Sequence, residues 1–468
     1  MIETTDQKNS QNNSDKLWVG LDHYYNDPKF MELAQKEFLS SPLSSEPDSE
    51  FGRREFLKLM GASLALASTA CIRRPANKIV PYVKRPVEVV PGVANYYATS
   101  WLDNGQGFGM VIKTREGRPI KAEGLTEHPV NMGGLSARAQ AHVLSVYDPD
   151  RAREPQKNIV NEKRTNSDSV SITWEGADKE VVEQLKKGKI RILSSTLASP
   201  SAEALISDFS RVFGAKHVVW DNLGADELKE GQAICYGQEV VPRYRFDKAR
   251  TVVSFGADFL GTYLSPVEFT KLFAKSRHAG PLMSQLVVFE SLYSLTGANA
   301  DTRVSVASDQ LFASLMGLIH DIVVVNKKSS YSGNAEVQKW LEPYANVAVN
   351  AGISSQIFAR LAKELWENKG ESIIISGGLN VSTKQAVPLQ IATNFLNSLL
   401  ENDGKTIDAS ISPNKTYKGS NKGLALLIDE MNNGQVSTLI IHRSNPIYAL
   451  PESSGFREAL NKVGLVIY

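Results

Sequence analysis

The segment Thr251-Val252-Val253-Ser254-Phe255-Gly256-Ala257-Asp258 decides the fold class of this chain. Its first five residues form a short apolar run rich in β-branched side chains, which is typical of a strand buried on both faces of a parallel sheet. Gly256 and Asp258 follow directly, and doubly wound sheets bind their ligands beyond the carboxyl ends of the strands. The segment therefore predicts an α/β fold with a candidate pocket loop at Gly256 and Asp258.

The same alternation of short strands and amphipathic helices continues over residues 171–468 and predicts parallel sheets. Further strands are predicted at Ile190–Ser194, Val218–Trp220, Leu286–Glu290, Arg303–Val306, Ser372–Ser376 and Thr438–His442. Helices are predicted at Glu175–Lys187, Ser201–Phe213, Ser355–Asn368 and Lys384–Leu400. The last predicted strand, Gly464–Tyr468, has no cap or polar tail, so we expect a fold truncated at its carboxyl end.

Residues after two other predicted strands are candidates for the same pocket: Gly377, Gly378 and Asn380 after the strand at 372–376, and Asn445 after the strand at 438–442. Loops of this kind would admit a nucleotide-like ligand. Gly and Asn are also ordinary turn residues, and that interpretation stays open for each loop.

The part of the chain before residue 171 has a different pattern. Alternation over Gly109–Thr114, a Gly-containing turn and a second run at Pro119–Glu123 predict a β-hairpin. We therefore expect a small β-rich portion over residues 109–170. Residues 72–108 are punctuated by proline and predict an extended segment.

A paired arginine, followed by a mild apolar run at Leu59–Ala70, is typical of a twin-arginine export signal. The signal residues are Arg53, Arg54, Phe56, Leu57 and Lys58. The apolar run is shorter than the roughly 20 residues that cross a bilayer, so it predicts an address and not a membrane span. The twin-arginine translocase is then a partner, and a buried helix that begins with two arginines is the alternative.

Residues 1–52, before this signal, are polar and predict a flexible arm. The signal itself occupies residues 53–71 and ends in Ser68-Thr69-Ala70-Cys71, which has the small residues and the cysteine of a lipoprotein cleavage site. Lipidation of Cys71 is therefore predicted, against an unmodified exported cysteine.

Composition excludes two function classes. The charges balance, with Lys+Arg 52 against Asp+Glu 51, and no basic cluster is interleaved with aromatic residues, so nucleic-acid binding is not expected. With only Cys71 and Cys235, the chain cannot build a Cys₄ iron–sulfur cluster or a disulfide framework of its own. Cys235 lies in the apolar run 233–236 and is predicted to be a buried structural thiol, with a Cys71–Cys235 disulfide as the alternative.

Several ordered segments together resemble the large subunit of the molybdopterin oxidoreductase family: Val111–Gly124, Glu127–Asn131, Gly134–Gln140 and Tyr147–Arg151. The resemblance implies a multi-domain α/β body of that type. In the family, the last cysteine of an amino-terminal iron–sulfur cluster falls where Ser136 stands here. The family's metal ligand lies upstream of Val253, where Cys235 falls without a matching context.

The long arm before the twin arginines, joined to a body without its own cluster, resembles the molybdopterin/iron–sulfur-like subunits of bacterial alternative complex III. The resemblance implies a structural half with no catalytic residue and no metal or molybdopterin of its own. Iron–sulfur clusters are then expected in the missing carboxyl-terminal part or in partners. It also implies cytochrome and integral membrane subunits of a quinol-oxidising complex as partners, at the periplasmic face of the inner membrane.

Three function classes stay open from sequence. The first is this non-catalytic subunit of a respiratory oxidoreductase. The second is an active molybdopterin-dependent oxidoreductase that binds the pterin through the loops at Gly256, Gly377 and Asn445. The third is an unrelated exported lipoprotein with a ligand-binding α/β domain.

Overall fold

The computed structural model describes Pro28 and residues 86–468, with gaps at residues 104, 161–166, 382–383 and 409–416. The chain divides into the units Met1–Lys84 and Arg85–Tyr468, and the fold below is that of the second unit. The predicted arm, the export signal with Arg53 and Arg54, and Cys71 lie outside the described residues and stay predictions.

The strands of this unit are β1 (Asn95–Asp103), β2 (Gln106–Arg115), β3 (Arg118–Gly124), β4 (Gln156–Val160), β5 (Ser167–Ser171), β6 (Ile190–Ser194), β7 (Lys216–Val219), β8 (Arg243–Tyr244), β9 (Thr251–Phe255), β10 (Gln285–Glu290), β11 (Thr302–Ser305), β12 (Ser372–Ser376), β13 (Ile407–Asp408), β14 (Thr438–His442) and β15 (Leu465–Ile467).

The α-helices are α1 (Ala137–Ala141), α2 (Trp174–Leu185), α3 (Pro200–Phe213), α4 (Asp226–Tyr236), α5 (Pro266–Ser276), α6 (Leu295–Ala298), α7 (Leu311–His320), α8 (Ala335–Leu341), α9 (Val347–Asn350), α10 (Ser355–Glu367), α11 (Ala386–Leu399), α12 (Asn421–Asn432), α13 (Pro446–Ala449) and α14 (Phe456–Leu460). Short 3₁₀ turns occupy His142–Val146, Phe246–Lys248, Ser308–Gln310, Ser330–Gly333, Glu342–Tyr344, Leu379–Val381 and Glu452–Ser454, and α7 continues as a π-helix over Asp321–Val325.

Two four-stranded parallel sheets form the body of this unit. The first parallel sheet has the order β15-β14-β6-β7, and the second has the order β11-β10-β9-β12. Antiparallel pairing forms the amino-terminal sheet β1-β2-β3, the hairpin β4-β5 and the pair β13-β8. The fold is therefore mixed α/β with a small antiparallel β-rich amino-terminal portion, as the sequence predicts.

Strand β1 is an addition to the predicted elements. It pairs along its whole length with β2, from Asn95 opposite Thr114 to Asp103 opposite Gln106. The sequence predicts only an extended segment here because Tyr96–Ser100 are all exposed and therefore show no alternation of polar and apolar residues. The predicted hairpin is thus two strands of a three-stranded sheet.

The largest hydrophobic core surrounds the second parallel sheet. Side chains alternate between its two faces, so that Val253 and Phe255 pack on one face and Val252 on the other. Phe255 stacks on Phe289 of β10, with ring centroids 4.7 Å apart. Burial of both faces explains why these strands appear in the sequence as continuous apolar runs.

Helix α7 with its π-helical extension belongs to this core. The span Ser308–Val325 is long and apolar enough to pass a length-and-composition test for a membrane helix, and 56% of it is buried inside the protein. Leu311, Leu315 and Ile319 are fully buried in the core beside β9 and β10. A buried core helix passes the same test, so this span is weak evidence for a membrane segment.

Helix α11 closes the outer edge of β12. The side-chain amide of Asn397 accepts a hydrogen bond from the Ile374 N–H at 3.0 Å and donates one to the Ile374 carbonyl at 2.8 Å. Two turns earlier in the helix, the Gln390 amide donates to the Ser376 carbonyl at 2.8 Å. Side chains thus supply the hydrogen bonds that a neighbouring strand would make. This contact also places Gln390 at the carboxyl end of β12.

Candidate functional site at the carboxyl ends of the parallel strands

The structure brings two of the predicted loops together. Strands β9 and β12 are paired in register, with Phe255 opposite Ser376, so the residues that follow them are neighbours. The Gly377 N–H donates to the Phe255 carbonyl at 3.3 Å. Gly256, Gly377 and Gly378 all have positive φ, at 76°, 119° and 91°. This strand-end pair is the part of the predicted site that the fold assembles.

Close packing is the reason for glycine at two of these positions. A Cβ atom on Gly256 would collide with Cγ2 of Val381. A Cβ atom on Gly377 would lie 2.6 Å from the Tyr263 hydroxyl. Glycine at these positions therefore lets side chains of the same chain pack against the turns.

Asp258 is used inside the protein. Its carboxylate accepts hydrogen bonds from the Thr296 backbone N–H at 3.0 Å and from the Thr296 hydroxyl at 2.8 Å. The Thr262 hydroxyl donates to the same carboxylate at 3.4 Å. These contacts fasten the loop after β9 to the short helix α6, so the carboxylate that the sequence offers as a ligand group is already engaged.

Asn445 belongs to the other sheet. It follows β14 of the first parallel sheet, and its side chain accepts a hydrogen bond from the Tyr448 N–H at 3.2 Å, which caps α13. Asn380 lies in the 3₁₀ turn Leu379–Val381, and its side chain is outside the described part of the chain. Of the strand-end candidates, only the Gly256 and Gly377–Gly378 loops are shown to meet.

A small cavity of about 110 Å³ lies beside these glycines. Residues 222–225 after β7, 262–264 after β9 and 377–379 after β12 contribute to its lining, so loops of both parallel sheets face it. Gln390 of α11 also lines it, and the Gln390 Oε1 atom has no hydrogen-bond partner in the described protein. A buried acceptor of this kind in a polar cavity is an ordinary site for a bound water molecule.

Tyr263 and Gln390 are the residues at this site that the sequence analysis missed. Tyr263 is 6% exposed, and burial raises the pKa of its hydroxyl well above the usual value, so the side chain is neutral. The sequence does contain a pattern from which Gln390 could have been identified. The otherwise apolar segment 386–399 carries Gln390, Thr393, Asn394 and Asn397 at helical spacing, which indicates a polar stripe on a buried helix.

Ser136 occupies the position at which the family resemblance implies a cluster cysteine. Its hydroxyl accepts a hydrogen bond from the Ala139 N–H at 3.2 Å and caps helix α1. Nearby, the fully buried Asn131 side chain accepts from the Gly109 N–H and donates to the Gly109 carbonyl, both at 2.9 Å. The segments that carry the resemblance therefore hold the amino-terminal sheet together.

The prediction that Cys235 is a buried thiol is wrong. Cys235 is free and exposed. Helix α4 buries Leu228, Gly231 and Gln232, whereas its last turn protrudes and leaves Ile234 59% exposed. Apolar neighbours in sequence did not mean burial here, because the run 233–236 ends the helix. Within the described ranges, no three His, Cys, Asp or Glu side chains gather as a metal site.

The arrangement around the cavity does not fit a molybdopterin cofactor. Ligand pockets for drug-sized molecules are about 300–1,000 Å³, and a pterin dinucleotide is larger than most such molecules. This cavity measures about 110 Å³, and the side chains of Tyr263 and Val381 stand against the strand-end glycines. We therefore derive no chemical step through such a cofactor.

No family model matches the chain. The chain is 23% identical over 443 residues to the menaquinone reductase, molybdopterin-binding-like subunit of Nitratidesulfovibrio vulgaris. The alignment covers 88% of this chain and 62% of that subunit, so the chain spans less than two-thirds of the relative's length. The similarity supports a molybdopterin-oxidoreductase-like family for this protein.

Proposed function

We propose that this chain is an exported, molybdoenzyme-like subunit of a membrane-bound respiratory quinone oxidoreductase. In this proposal it contributes binding surfaces to the assembly and holds no redox centre of its own. The observation that carries the proposal is the alignment over 88% of the chain with a subunit named as part of a menaquinone reductase. A fold can be retained for its surfaces after the chemistry of its site has changed.

Two features of the site support the structural role. Ser136 caps a helix at the position where the family resemblance implies a cluster thiolate. Cys235 is exposed at the end of α4, whereas a molybdenum ligand would have to face a cofactor-sized pocket. The active molybdopterin-dependent oxidoreductase is the competing proposal, and it requires the 110 Å³ cavity to open.

More specifically, we propose that this respiratory assembly is of the alternative complex III type. Its partners would be cytochrome and integral membrane subunits at the periplasmic face of the inner membrane. Iron–sulfur clusters would lie outside the present sequence or in partners. The relative's name refers to reduction of menaquinone, whereas the sequence resemblance favours quinol oxidation, so the direction of the quinone reaction separates the two assignments.

Purification of the tagged full-length protein from native membranes in mild detergent tests this proposal. We expect haem-containing and integral membrane proteins to co-purify with it, and the assembly to oxidise menaquinol. Cys235→Ala and Ser136→Ala should leave turnover per assembled complex unchanged, since neither side chain is given a redox role. A chain that purifies alone, or Cys235→Ala that assembles normally without turnover, would contradict the structural role.

Export can be tested separately. Lysine lacks the planar guanidinium group of arginine, so replacement of Arg53 and Arg54 by lysine should keep the protein in the cytoplasm. Intact-mass analysis of the exported form should show a chain that begins at lipid-modified Cys71. Normal periplasmic delivery of the double variant would refute the export signal, and a free thiol at Cys71 would refute the anchor.

A further inference from the structure

The carboxyl ends of the two parallel sheets face the same crevice. Residues 222–225, after β7 of the first sheet, and residues 262–264, after β9 of the second, both line the 110 Å³ cavity. In a doubly wound fold, a crevice beyond the carboxyl ends of the strands is where a ligand binds. What occupies the rest of this crevice therefore decides what the protein can bind.

The tip of the β1–β2 hairpin contacts loops that follow strands of both parallel sheets. We use the term hairpin tip for Asp103, Gly105 and Gln106. On the side of the second sheet, the Ser265 hydroxyl donates to the Gln106 side-chain oxygen at 2.7 Å, and the Gln106 amide reaches the Leu264 carbonyl at 3.5 Å. Gln106 is 4% exposed, so these contacts are made away from solvent.

On the side of the first sheet, the hairpin tip packs on Thr196, which follows β6. A Cβ atom on Gly105 would lie 3.0 Å from Cβ of Thr196, and Gly105 has a φ of 74°. Thr196 is itself held by Asp221 at the end of β7, whose carboxylate accepts from the Thr196 N–H at 2.7 Å. The hairpin tip thus fits against a rigid wall.

Two arginines fix the base of the hairpin tip. Arg138 of α1 donates to the Asp103 carboxylate at 2.8 Å. Arg443, after β14, donates to the Leu102 carbonyl at 3.0 Å. The hairpin tip is therefore fastened by α1 and by both parallel sheets.

Tyr263 fills the crevice from the second sheet. Its ring is 6% exposed, and its hydroxyl lies close to Gly377, where a Cβ atom would come within 2.6 Å of it. The carbonyl of Leu264, the next residue, accepts a hydrogen bond from the Gln106 amide of the hairpin tip. The Tyr263 ring and the hairpin tip are therefore neighbours, because the hairpin tip contacts the residue that follows Tyr263.

We propose that the crevice between the two parallel sheets is permanently closed by the chain's own hairpin tip and by Tyr263. These elements take the place of a dinucleotide-sized ligand and brace the two sheets against each other. The crevice then has no lid that opens to admit a ligand. This closure is independent of the partners that the subunit has in a membrane assembly.

Replacement of Tyr263 by alanine in the full chain tests whether the tyrosine ring fills the crevice. Tyr263→Ala should lower Tm by about 3–6 °C and leave a cavity of ring size. Phenol should then restore a large part of the lost Tm, because it refills that cavity, and it should leave the wild-type Tm unchanged. The matched control is Tyr448→Ala, which removes a ring that is 89% exposed and should show neither the loss nor the phenol rescue.

The hairpin tip is tested by two glycine substitutions with the same backbone strain. Gly105→Ala and Gly92→Ala both place a side chain at positive φ, at 74° and 82°, but only Gly105 faces a neighbour within contact distance. Gly105→Ala should lower Tm by about 1–3 °C more than Gly92→Ala. Equal effects would show that the hairpin tip is not seated on Thr196 and would overturn its role.

GDP serves as the probe for an open crevice, because it has the size and chemistry of one half of a pterin dinucleotide. The wild-type protein should show no Tm shift with millimolar GDP. A GDP-dependent Tm increase in the wild type, or a Tyr263→Ala variant as stable as the wild type, would overturn the proposal. A folded Tyr263→Ala variant that phenol does not stabilise would do the same.

Discussion

The two parallel sheets have the same number of strands but very different cover. Every residue of β9 and β12 in the second sheet is buried, and helices pack on both faces. In the first sheet, β7 has no buried residue, and α3 beside it has none either. Leu205 of α3 is 71% exposed. We call the second sheet the rigid sheet, because β9 and β12 are buried on both faces. We call the first the open sheet, because its edge strand β7 is exposed although its central strand β6 is fully buried.

This difference explains what became of the predicted pocket loops. Loops of the rigid sheet are held by packing, as at Gly256 against Val381. The carboxylate of Asp258, which follows β9, is hydrogen-bonded to Thr296. The loop of the open sheet at Asn445 only caps a short helix. Strand-end residues of the kind that bind ligands in doubly wound folds serve here to fix the structure.

The largest expected contrast is in the loss of unfolding free energy when a phenylalanine beside each sheet is replaced by alanine. Phe255→Ala empties a fully buried position stacked on Phe289 and should lower the free energy of unfolding by about 3–5 kcal/mol. Phe213→Ala, on α3 where the ring is 38% exposed, should cost under about 1 kcal/mol. Urea unfolding of both variants measures the two values, and similar losses would erase the distinction between the sheets.

A buried ion pair beside the rigid sheet gives the next contrast. Arg243 donates to Glu268 at 2.8 Å, and the Glu268 side chain is fully buried. Arg243→Met leaves that carboxylate unpaired and should cost about 3 kcal/mol. Arg191→Met in the open sheet should cost less, because Glu430 keeps a contact with Lys216 at 3.3 Å and is 23% exposed. Chemical denaturation at pH 7 compares the two.

The Arg243→Met variant should also depend on pH in a defined direction. Burial raises the pKa of Glu268, and Arg243 opposes that rise. Without the arginine, the neutral carboxyl is favoured further, so the variant's deficit should be small near pH 5 and grow as pH rises. A deficit that is constant between pH 5 and pH 8 would show that Glu268 does not carry the effect.

The smallest effect is expected in the open sheet. Burial, and the charge of Lys418, lower the pKa of His217, whose Nε2 lies 2.8 Å from the Ser194 hydroxyl. A lowered pKa contributes stability above the unfolded-state value near 6.5, and this contribution is lost as pH falls below it. Between pH 7.5 and pH 5.5, His217→Gln should lose about 1 °C less of Tm than the wild type. Identical pH profiles would contradict this assignment.

The strands were predictable because their signal is local. Strands β6, β9, β12 and β14 begin and end where the apolar β-branched runs do. Burial of an individual side chain was less predictable. Cys235 has apolar neighbours in sequence, but its place at the end of α4 exposes it. Strand β1 escaped detection because Tyr96–Ser100 are exposed on both faces and show no contrast in polarity.

The site itself was predictable only in part. The glycines of the rigid sheet could be found, since parallel pairing brings strand ends together. Their role could not, because it depends on contacts between residues far apart in sequence. Gln106 meets Ser265 across 159 positions, and Arg443 meets Leu102 across 341. No periodicity in a single sequence encodes such contacts.

Molybdenum and pterin analysis of the full-length complex, purified from native membranes with its activity intact, tests the central claim most directly. A molybdoenzyme purified from the same cells provides the control for cofactor supply. Because the 110 Å³ cavity beside the strand-end glycines does not fit the cofactor, we predict an active complex without stoichiometric molybdenum or pterin in this subunit. One molybdenum and its pterin per chain, with activity that follows metal content, would contradict the account.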